Sequence, residues 1–565
     1  MQQQKRVTPD RLVLLGAVLA ALAYLPDVQY DFILDDVPLI LLNPTITTWR
    51  NWKQVFVTDI FAGQGKSPFG IEAVHYRPVY QLWQIFNEQL FGSVLPWWHV
   101  TALLLHLGVT LLVYRLGIKL LKDRWTAALA ALLFVFHPIH AESVAYVTAS
   151  TDLLVALFAL LSFLAYFKYR EERGGLVYLV GSVLAAVMAM LSKESAVMIP
   201  WMVVAYEAVR EFPPGAERGW KRYLWTVPYF AVVGAYVAVR TVLFGANTGT
   251  GPGGNRLAAF LDMPLVLMVY LRNLILPIRL SFFYPTQWST EWTVLKGVAV
   301  ALVIAAGGFL WKRYRGRSGV RLQLLWAGIL FVPALLGVYA FVREDWVHDR
   351  HMYLVSVPFC LLAAVLLTDA KWTRKASAIA SATVLAILLI DLAVQVPKFT
   401  DEITLYASAV KVAPRNWLLR DYYGLALAAH GHHQEASDEF KIATELAPQK
   451  PGIRKSYGER LAYLGQDDKA MAEFKKALEL SAHAAPFQAI ILSRMADLEL
   501  KRREVPEAVA HLRMAAQLAP DDPNYHAALA LALSQEGLTE EAEEQSRLEA
   551  GARKQLGQVQ RASNN

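Results

Sequence analysis

Directly behind an apolar run at residues 12–28 the chain reads Asp31-Phe32-Ile33-Leu34-Asp35-Asp36-Val37-Pro38. Two adjacent carboxylates at a helix exit are stable in water and costly in hydrocarbon, so the pair marks a membrane surface. The run before it is near the length that crosses a bilayer, and that pattern recurs along the chain. Apolar windows follow at about 98–118, 125–140, 151–167, 176–192, 195–209, 223–243, 294–311, 322–341, 353–369 and 377–396, eleven in all. A twelfth, about 262–280, is weaker, with Arg272 and Asn273 inside it and Pro277 near its end. The start, Lys5-Arg6 before an apolar run, has the outline of a signal peptide, but the later runs favour an uncleaved anchor helix.

Composition agrees. Apolar residues make up 55% and charged residues 18% of 565 residues, against roughly 25% charge in soluble proteins. The single cysteine, Cys360, excludes a disulfide within the chain and any cysteine-based metal site. The net charge is +7, and its Lys and Arg sit in short loops behind alternate apolar runs: Arg115 to Arg124, Lys168 to Arg173, Arg210 to Arg222, Lys312 to Arg321 and Lys371 to Lys375. That is the positive-inside pattern of a membrane protein and argues against nucleic acid as a partner. It predicts eleven crossings, with 262–280 an interfacial or re-entrant segment, or else that segment crosses and another does not. With eleven, the N-terminus lies inside, while Asp35, Asp36 and everything after the last run lie outside. The first external loop, about 30–97, is longer than a connector needs. Its stretches Trp49-Arg50-Asn51-Trp52 and Pro96-Trp97-Trp98 read as amphipathic helices on the membrane surface.

After Pro397 the chain turns charged and helix-forming, and a 34-residue period appears. Gly424 and Gly458, Ala436 and Ala470, Phe440 and Phe474, and Ala443 and Ala477 are each 34 apart. Small residues where two helices touch, an aromatic wedge and a closing proline are the signature of tetratricopeptide repeats. From Ala470 to Ala508 the spacing is 38, which predicts four inserted residues around Ala482 to Pro486. Three full units and a partial fourth are expected. The domains are thus 1–397, membrane-embedded, and 398–565, a repeat array whose concave face suits a peptide or protein.

Three clusters carry possible chemistry. In His137-Pro138-Ile139-His140-Ala141-Glu142-Ser143, two histidines and a glutamate invite a metal, but Pro138 breaks the helical geometry and no fourth ligand is evident. The other readings are a capped helix break and a site wall that hydrogen-bonds a polar substrate. Lys193-Glu194, between two apolar runs, needs a partner or a water-lined cavity; the lysine suits a lipid phosphate, and an interfacial anchor is the plainer reading. In Arg343-Glu344-Asp345-Trp346 and His348-Asp349-Arg350-His351, Arg343 and Arg350 suit a phosphate leaving group, and a solvated turn is the alternative. Glu72, His75, Tyr76 and Arg77 lie in the first external loop. The run Gly249-Thr250-Gly251-Pro252-Gly253-Gly254 lacks the Lys-Ser/Thr of a phosphate loop.

Taken together these stretches resemble the transmembrane and tetratricopeptide-repeat O-mannosyltransferases, and more distantly the protein O-mannosyltransferases, both of the GT-C class. The resemblance rests on Asp31-Phe32-Ile33-Leu34-Asp35-Asp36 with Asn43; Tyr76-Arg77-Pro78; His137 to Ala145 with Asp152-Leu153-Leu154; Ser192-Lys193-Glu194; and Asp349-Arg350-His351-Met352-Tyr353-Leu354, in the family's order and followed by its repeats. It implies a polyprenyl-phosphate sugar donor, inversion at the sugar carbon, and a catalytic base at Asp35 or Asp36, Asp35 by analogy. It implies Arg77, Lys193 and Arg350 near the donor phosphate. The chain departs from the family where Ser150-Thr151 replace an arginine before Asp152, where Asp349 replaces a glutamate, and in its shorter array.

The expectation is therefore an all-α protein, a GT-C-type bundle of about eleven spans followed by an α-solenoid. Its function would be transfer of mannose or a similar monosaccharide from a polyprenyl-phosphate donor to a Ser or Thr hydroxyl of a protein held by the repeats. Candidate site residues are Asp35 and Asp36 for catalysis, and Arg77, His137, His140, Glu142, Lys193, Glu194, Arg343 and Arg350 for donor and substrate. No metal ligand set is assigned and no cofactor is firmly implied; a divalent metal is optional. Rival readings are the same chemistry on a lipid or glycan acceptor, a non-catalytic scaffold for envelope proteins, and a transporter, the last disfavoured by the absence of a midplane charge pair. The expected setting is a bacterial or archaeal plasma membrane with the repeats outside, or the endoplasmic reticulum in a eukaryote.

Overall fold

A computed structural model describes residues 8–61, 75–172, 174–210, 219–245, 256–285, 293–339, 345–369, 373–482 and 484–563. Among these residues the chain is helical, with no strand, and it divides into two compact units, Met1–Val412 and Ala413–Asn565.

In the first unit α1 spans Pro9–Tyr24; the Thr8 side chain accepts the Arg11 N–H, and Pro9 needs no donor at the first helical position. The chain then passes the acidic stretch and short 3-10 and π turns before α2, Pro78–Phe91. Helix α3 is Leu95–Leu121 and ends at Lys122 in a left-handed conformation. Asp123 caps α4, Arg124–Phe136, by accepting the Trp125 and Thr126 N–H groups. Helix α4 stops because His137 is extended ahead of Pro138, and a 3-10 turn leads to α5, Ala141–Ala145. Then come α6 (Ser150–Glu171), α7 (Leu176–Met190), α8 (Ile199–Val209), α9 (Val227–Phe244), α10 (Arg256–Ile275), α11 (Thr293–Arg313), α12 (Ser318–Leu336), α13 (Ser356–Leu367), α14 (Arg374–Gln395) and α15 (Glu402–Val412). Helices α3 and α4 pack closely, as do α6 and α7.

Six described segments are long and apolar enough to cross a membrane: Pro9–Gln29, Leu95–Leu121, Val147–Glu171, Gly219–Phe244, Ser318–Tyr339 and Arg374–Phe399. The pair Arg124–Phe136 and Pro138–Ala145, bent by 48°, would make a seventh, and Leu176–Met190 and Ser356–Leu367 are shorter apolar helices. Length and composition among the described residues do not confirm a count of about eleven.

The second unit is four helix pairs: α16 (Trp417–Ala429) with α17 (His433–Leu446), α18 (Pro451–Tyr463) with α19 (Asp467–Leu480), α20 (Ala485–Lys501) with α21 (Val505–Leu518), and α22 (Pro523–Glu536) with α23 (Thr539–Ser563). The fourth unit, expected to be partial, is a complete pair. The 34-residue spacing is a packing rule made visible: a Cβ on Gly424 would lie 2.8 Å from the Phe440 ring, and one on Gly458 2.6 Å from that of Phe474. The third pair replaces this with Ala496 against Leu512, in one buried cluster. Its four extra residues do not form a loop. Helix α20 has 17 residues where α18 has 13, so the insertion is about one added turn and keeps the inward face in register.

Candidate active site

The acidic corner is a tight reversal between two turns. Leu34 takes φ 53°, Asp36 N–H donates to Ile33 O at 2.9 Å, and Leu39 N–H donates to Asp35 O at 2.9 Å as the π turn Val37–Leu41 begins. This reversal sends the two carboxylates to different environments. Asp36 is fully buried. Its Oδ1 accepts the Thr148 N–H at 2.7 Å and the Thr148 hydroxyl at 2.6 Å, and its Oδ2 accepts the Ile33 N–H at 3.3 Å. Burial pushes its carboxyl up to about 7 in spite of these donors. Asp35 is exposed, and its N–H donates to the Tyr146 hydroxyl at 3.3 Å.

Tyr146 joins this corner to a cation. The Arg350 guanidinium lies 5.8 Å from its ring centre and 5.9 Å from that of Phe282. Glu142, buried on α5, accepts Arg350 Nη1–H at 2.8 Å and the Arg350 N–H at 3.2 Å. Next to Arg350, Asp349 is buried; Asn273 donates to its Oδ1 at 2.7 Å and Tyr284 to its Oδ2 at 2.6 Å. Burial, then the charge of Glu142, push the Asp349 carboxyl up to about 7.

Two further cations stand in ion pairs. Arg77, just ahead of α2, donates Nη2–H and Nε–H to Glu194 Oε2 at 2.9 and 3.1 Å. Burial works against the Glu194 carboxylate, but the Arg77 guanidinium outweighs it and holds that carboxyl at about 2. Lys193 donates to both oxygens of Asp152 at 2.7 Å. Burial lowers the Lys193 ammonium; Asp152 counteracts this, and the positive charges of Arg77 and Arg350 add to the lowering. Three cations from distant segments thus share one electrostatic neighbourhood, each already matched by a carboxylate.

His137 and His140 are both buried. The His137 Nδ1 accepts the Ile139 N–H at 3.2 Å, so its Nε2–H donates to Leu274 O at 3.0 Å. His140 Nε2 is 2.8 Å from Ser356 Oγ, and its ring packs on Phe134 and Tyr353. Both histidines brace the helix break from within. Arg343, Glu72 and the Gly249–Gly254 run lie outside the described residues. Among the described residues no group of three or more His, Cys, Asp or Glu is arranged to hold a metal ion.

Sequence reasoning missed Tyr146 and Thr148. Both lie between two quoted motifs, His137 to Ala145 and Asp152-Leu153-Leu154, and only the fold places that interval against Asp35 and Asp36.

No family model matches the chain. A Caenorhabditis elegans protein O-mannosyl-transferase is 25% identical over 447 residues, covering 76% of this chain and 62% of that protein. The human protein O-mannosyl-transferase TMTC4 is 27% identical over 476 residues, covering 72% of this chain and 62% of that protein. The mouse relative TMTC2 is 32% identical over 205 residues, covering 34% and 23%. The chain therefore spans less than two thirds of the length of these relatives. Among solved structures, an Archaeoglobus fulgidus oligosaccharyltransferase aligns with TM-score 0.36 and 14% identity over 73% of this chain and 57% of that one. The protein MamA aligns with TM-score 0.26 and 15% identity over 31% and 94%. The named relatives are animal proteins, and the expected bacterial or archaeal setting draws no support from them. Over most of its length this chain is homologous to the transmembrane and tetratricopeptide-repeat protein O-mannosyltransferases.

Proposed function

We propose that the chain is an inverting glycosyltransferase that moves mannose or a similar monosaccharide from a polyprenyl-phosphate donor to a Ser or Thr hydroxyl of a protein, on the outer face of the membrane. The observation that carries this reading is the Asp35–Tyr146–Arg350 relationship. The backbone N–H of exposed Asp35 donates to the Tyr146 hydroxyl, and the Arg350 guanidinium lies 5.8 Å from the Tyr146 ring centre. Displacement at a glycosyl carbon needs a base near the incoming hydroxyl and positive charge near the departing phosphate.

Asp35 is the base. Its carboxylate is exposed, whereas Asp36 is buried with both oxygens occupied, so Asp36 fixes the corner and does not meet the acceptor. In the reaction Asp35 takes the proton of the acceptor hydroxyl. The acceptor oxygen forms a bond to the sugar carbon as the bond from that carbon to the phosphate oxygen breaks, and the electron pair leaves with the phosphate. Phosphate departs as a stable anion, so no general acid is needed. Arg350, with one guanidinium nitrogen held by Glu142, keeps N–H groups for that anion. Lys193 and Arg77 add positive potential, and their pairing with Asp152 and Glu194 keeps the empty site from carrying a large uncompensated charge. The repeats hold the acceptor peptide.

Sugar transfer from a polyprenyl-phosphate mannose donor to a Ser/Thr peptide by the purified protein tests this reading. Transfer that Asp35→Asn abolishes supports it. Absence of transfer with any polyprenyl-phosphate sugar, together with retained peptide binding, would favour a scaffold.

A further inference from the structure

The corner that carries Asp35 is held from a point late in the chain. Leu34 has φ 53°, a left-handed conformation that a residue with a Cβ adopts only when something holds it there, and no glycine relieves it. Its N–H donates to Glu402 Oε1 at 2.9 Å, and three residues earlier the Asp31 N–H donates to Thr400 O at 2.9 Å. Glu402 is the first residue of α15, the helix that follows the last membrane-length helix in sequence. Its neighbour Asp401 is engaged at the same helix start: its side chain accepts the Thr404 N–H and hydroxyl, each at 2.8 Å. The two acidic residues thus divide the work, one capping α15 and the other reaching the acidic corner.

We propose that Glu402 is a positioning residue for Asp35. Its carboxylate holds the Leu34 amide in the left-handed reversal that turns Asp35 outward and Asp36 toward Thr148. A charged acceptor makes a strong hydrogen bond to a backbone N–H. Without it Leu34 relaxes toward an ordinary conformation, the peptide plane rotates, and the Asp35 N–H loses its alignment on Tyr146. The base is then misplaced by a fraction of its reach, which lowers the rate of the chemical step and leaves donor binding untouched. This rests on the reading of Asp35 as the base.

The test measures kcat and donor KM for peptide mannosylation by the full chain, in wild type, Glu402→Ala, Glu402→Gln, Leu34→Gly, Glu402→Ala with Leu34→Gly, and Asp35→Asn. Glu402→Ala should lower kcat about tenfold with donor KM within about twofold, and Glu402→Gln, whose amide oxygen accepts the same hydrogen bond, should stay within about twofold of wild type. In the Leu34→Gly background the Glu402→Ala change should cost no more than about twofold, because glycine takes positive φ without support. Wild-type kcat in Glu402→Ala, equal loss in the Gln variant, or the same loss in both backgrounds would overturn the proposal. Asp35→Asn separates the two readings. If it retains transfer, the base assignment fails; if it is inactive while Glu402→Ala is normal, only the role of Glu402 fails.

Discussion

Glu142 holds Arg350 at two points: Oε2 accepts its backbone N–H at 3.2 Å and Oε1 accepts Nη1–H at 2.8 Å, across 208 residues of chain. The pair sets the position of the segment 348–351 as well as the direction of the guanidinium. Because Glu142 is buried, its removal leaves a half-buried cation without its partner. Glu142→Ala should therefore destabilise the protein by about 3 kcal/mol and raise the donor KM. Arg350→Lys keeps the charge but loses the planar fork and should raise the donor KM about tenfold. Thermal denaturation in detergent and donor titration check both; an unchanged donor KM in Arg350→Lys counts against a phosphate role.

Asp349 gives the protein a pH dependence of defined sign. Its carboxyl is pushed up to about 7 in the fold, and in the unfolded chain it ionises near about 4. Between these values the folded chain keeps a proton that the unfolded chain has released. Stability from this group is therefore greatest below the unfolded value, falls as pH rises, and stays low above about 7. Asp349→Asn should gain several degrees in Tm over wild type at about pH 8, and the gain should shrink toward about pH 5. A gain that grows on acidification contradicts this.

Thr148 serves the Asp36 carboxylate with two donors, its N–H and its hydroxyl. Thr148→Val keeps the shape and removes one. It should cost about 1–3 kcal/mol, since a buried acceptor loses a donor. The cost should be larger at about pH 8 than at about pH 5, because the lost bond favours the ionised form that exists above about 7. Equal loss at both pH values would mean that Asp36 stays neutral throughout.

In the repeat unit Gly458 faces the Phe474 ring, and an added Cβ would come within 2.6 Å of it. Gly458→Ala should destabilise that unit by about 1–3 kcal/mol through overpacking. Gly452, with open space at its Cβ, is the control: Gly452→Ala should be neutral or stabilising. Circular dichroism melting of the repeat helices reads both.

These contrasts show which features the sequence displayed. The 34-residue spacing of Gly424 and Gly458, and of Phe440 and Phe474, is itself a contact rule, so the solenoid could be read from it. The four-residue insertion was visible, but its form was not, because a loop and an added helical turn have the same length in sequence. Asp35 and Asp36 stood out as a pair, and their opposite environments did not. That difference arises from Leu34, whose side chain gives no sign of a positive φ. His137 and His140 drew attention through their chemistry, yet their partners Leu274 and Ser356 come from α10 and α13, which only tertiary packing brings near. The pairings of Glu142 with Arg350 and of Lys193 with Asp152 are invisible for the same reason. Hydropathy likewise does not register the bend of 48° at His137-Pro138.

The proposed transfer turns on Asp35 taking the proton of the acceptor hydroxyl. The most direct measurement is single-turnover transfer of mannose from a polyprenyl-phosphate donor to a Ser/Thr peptide, with donor binding measured in parallel, in wild type and Asp35→Asn. With Asp35 as the base, Asp35→Asn should bind donor as wild type does and transfer at least about a hundredfold more slowly. Transfer within a few-fold of wild type would contradict it.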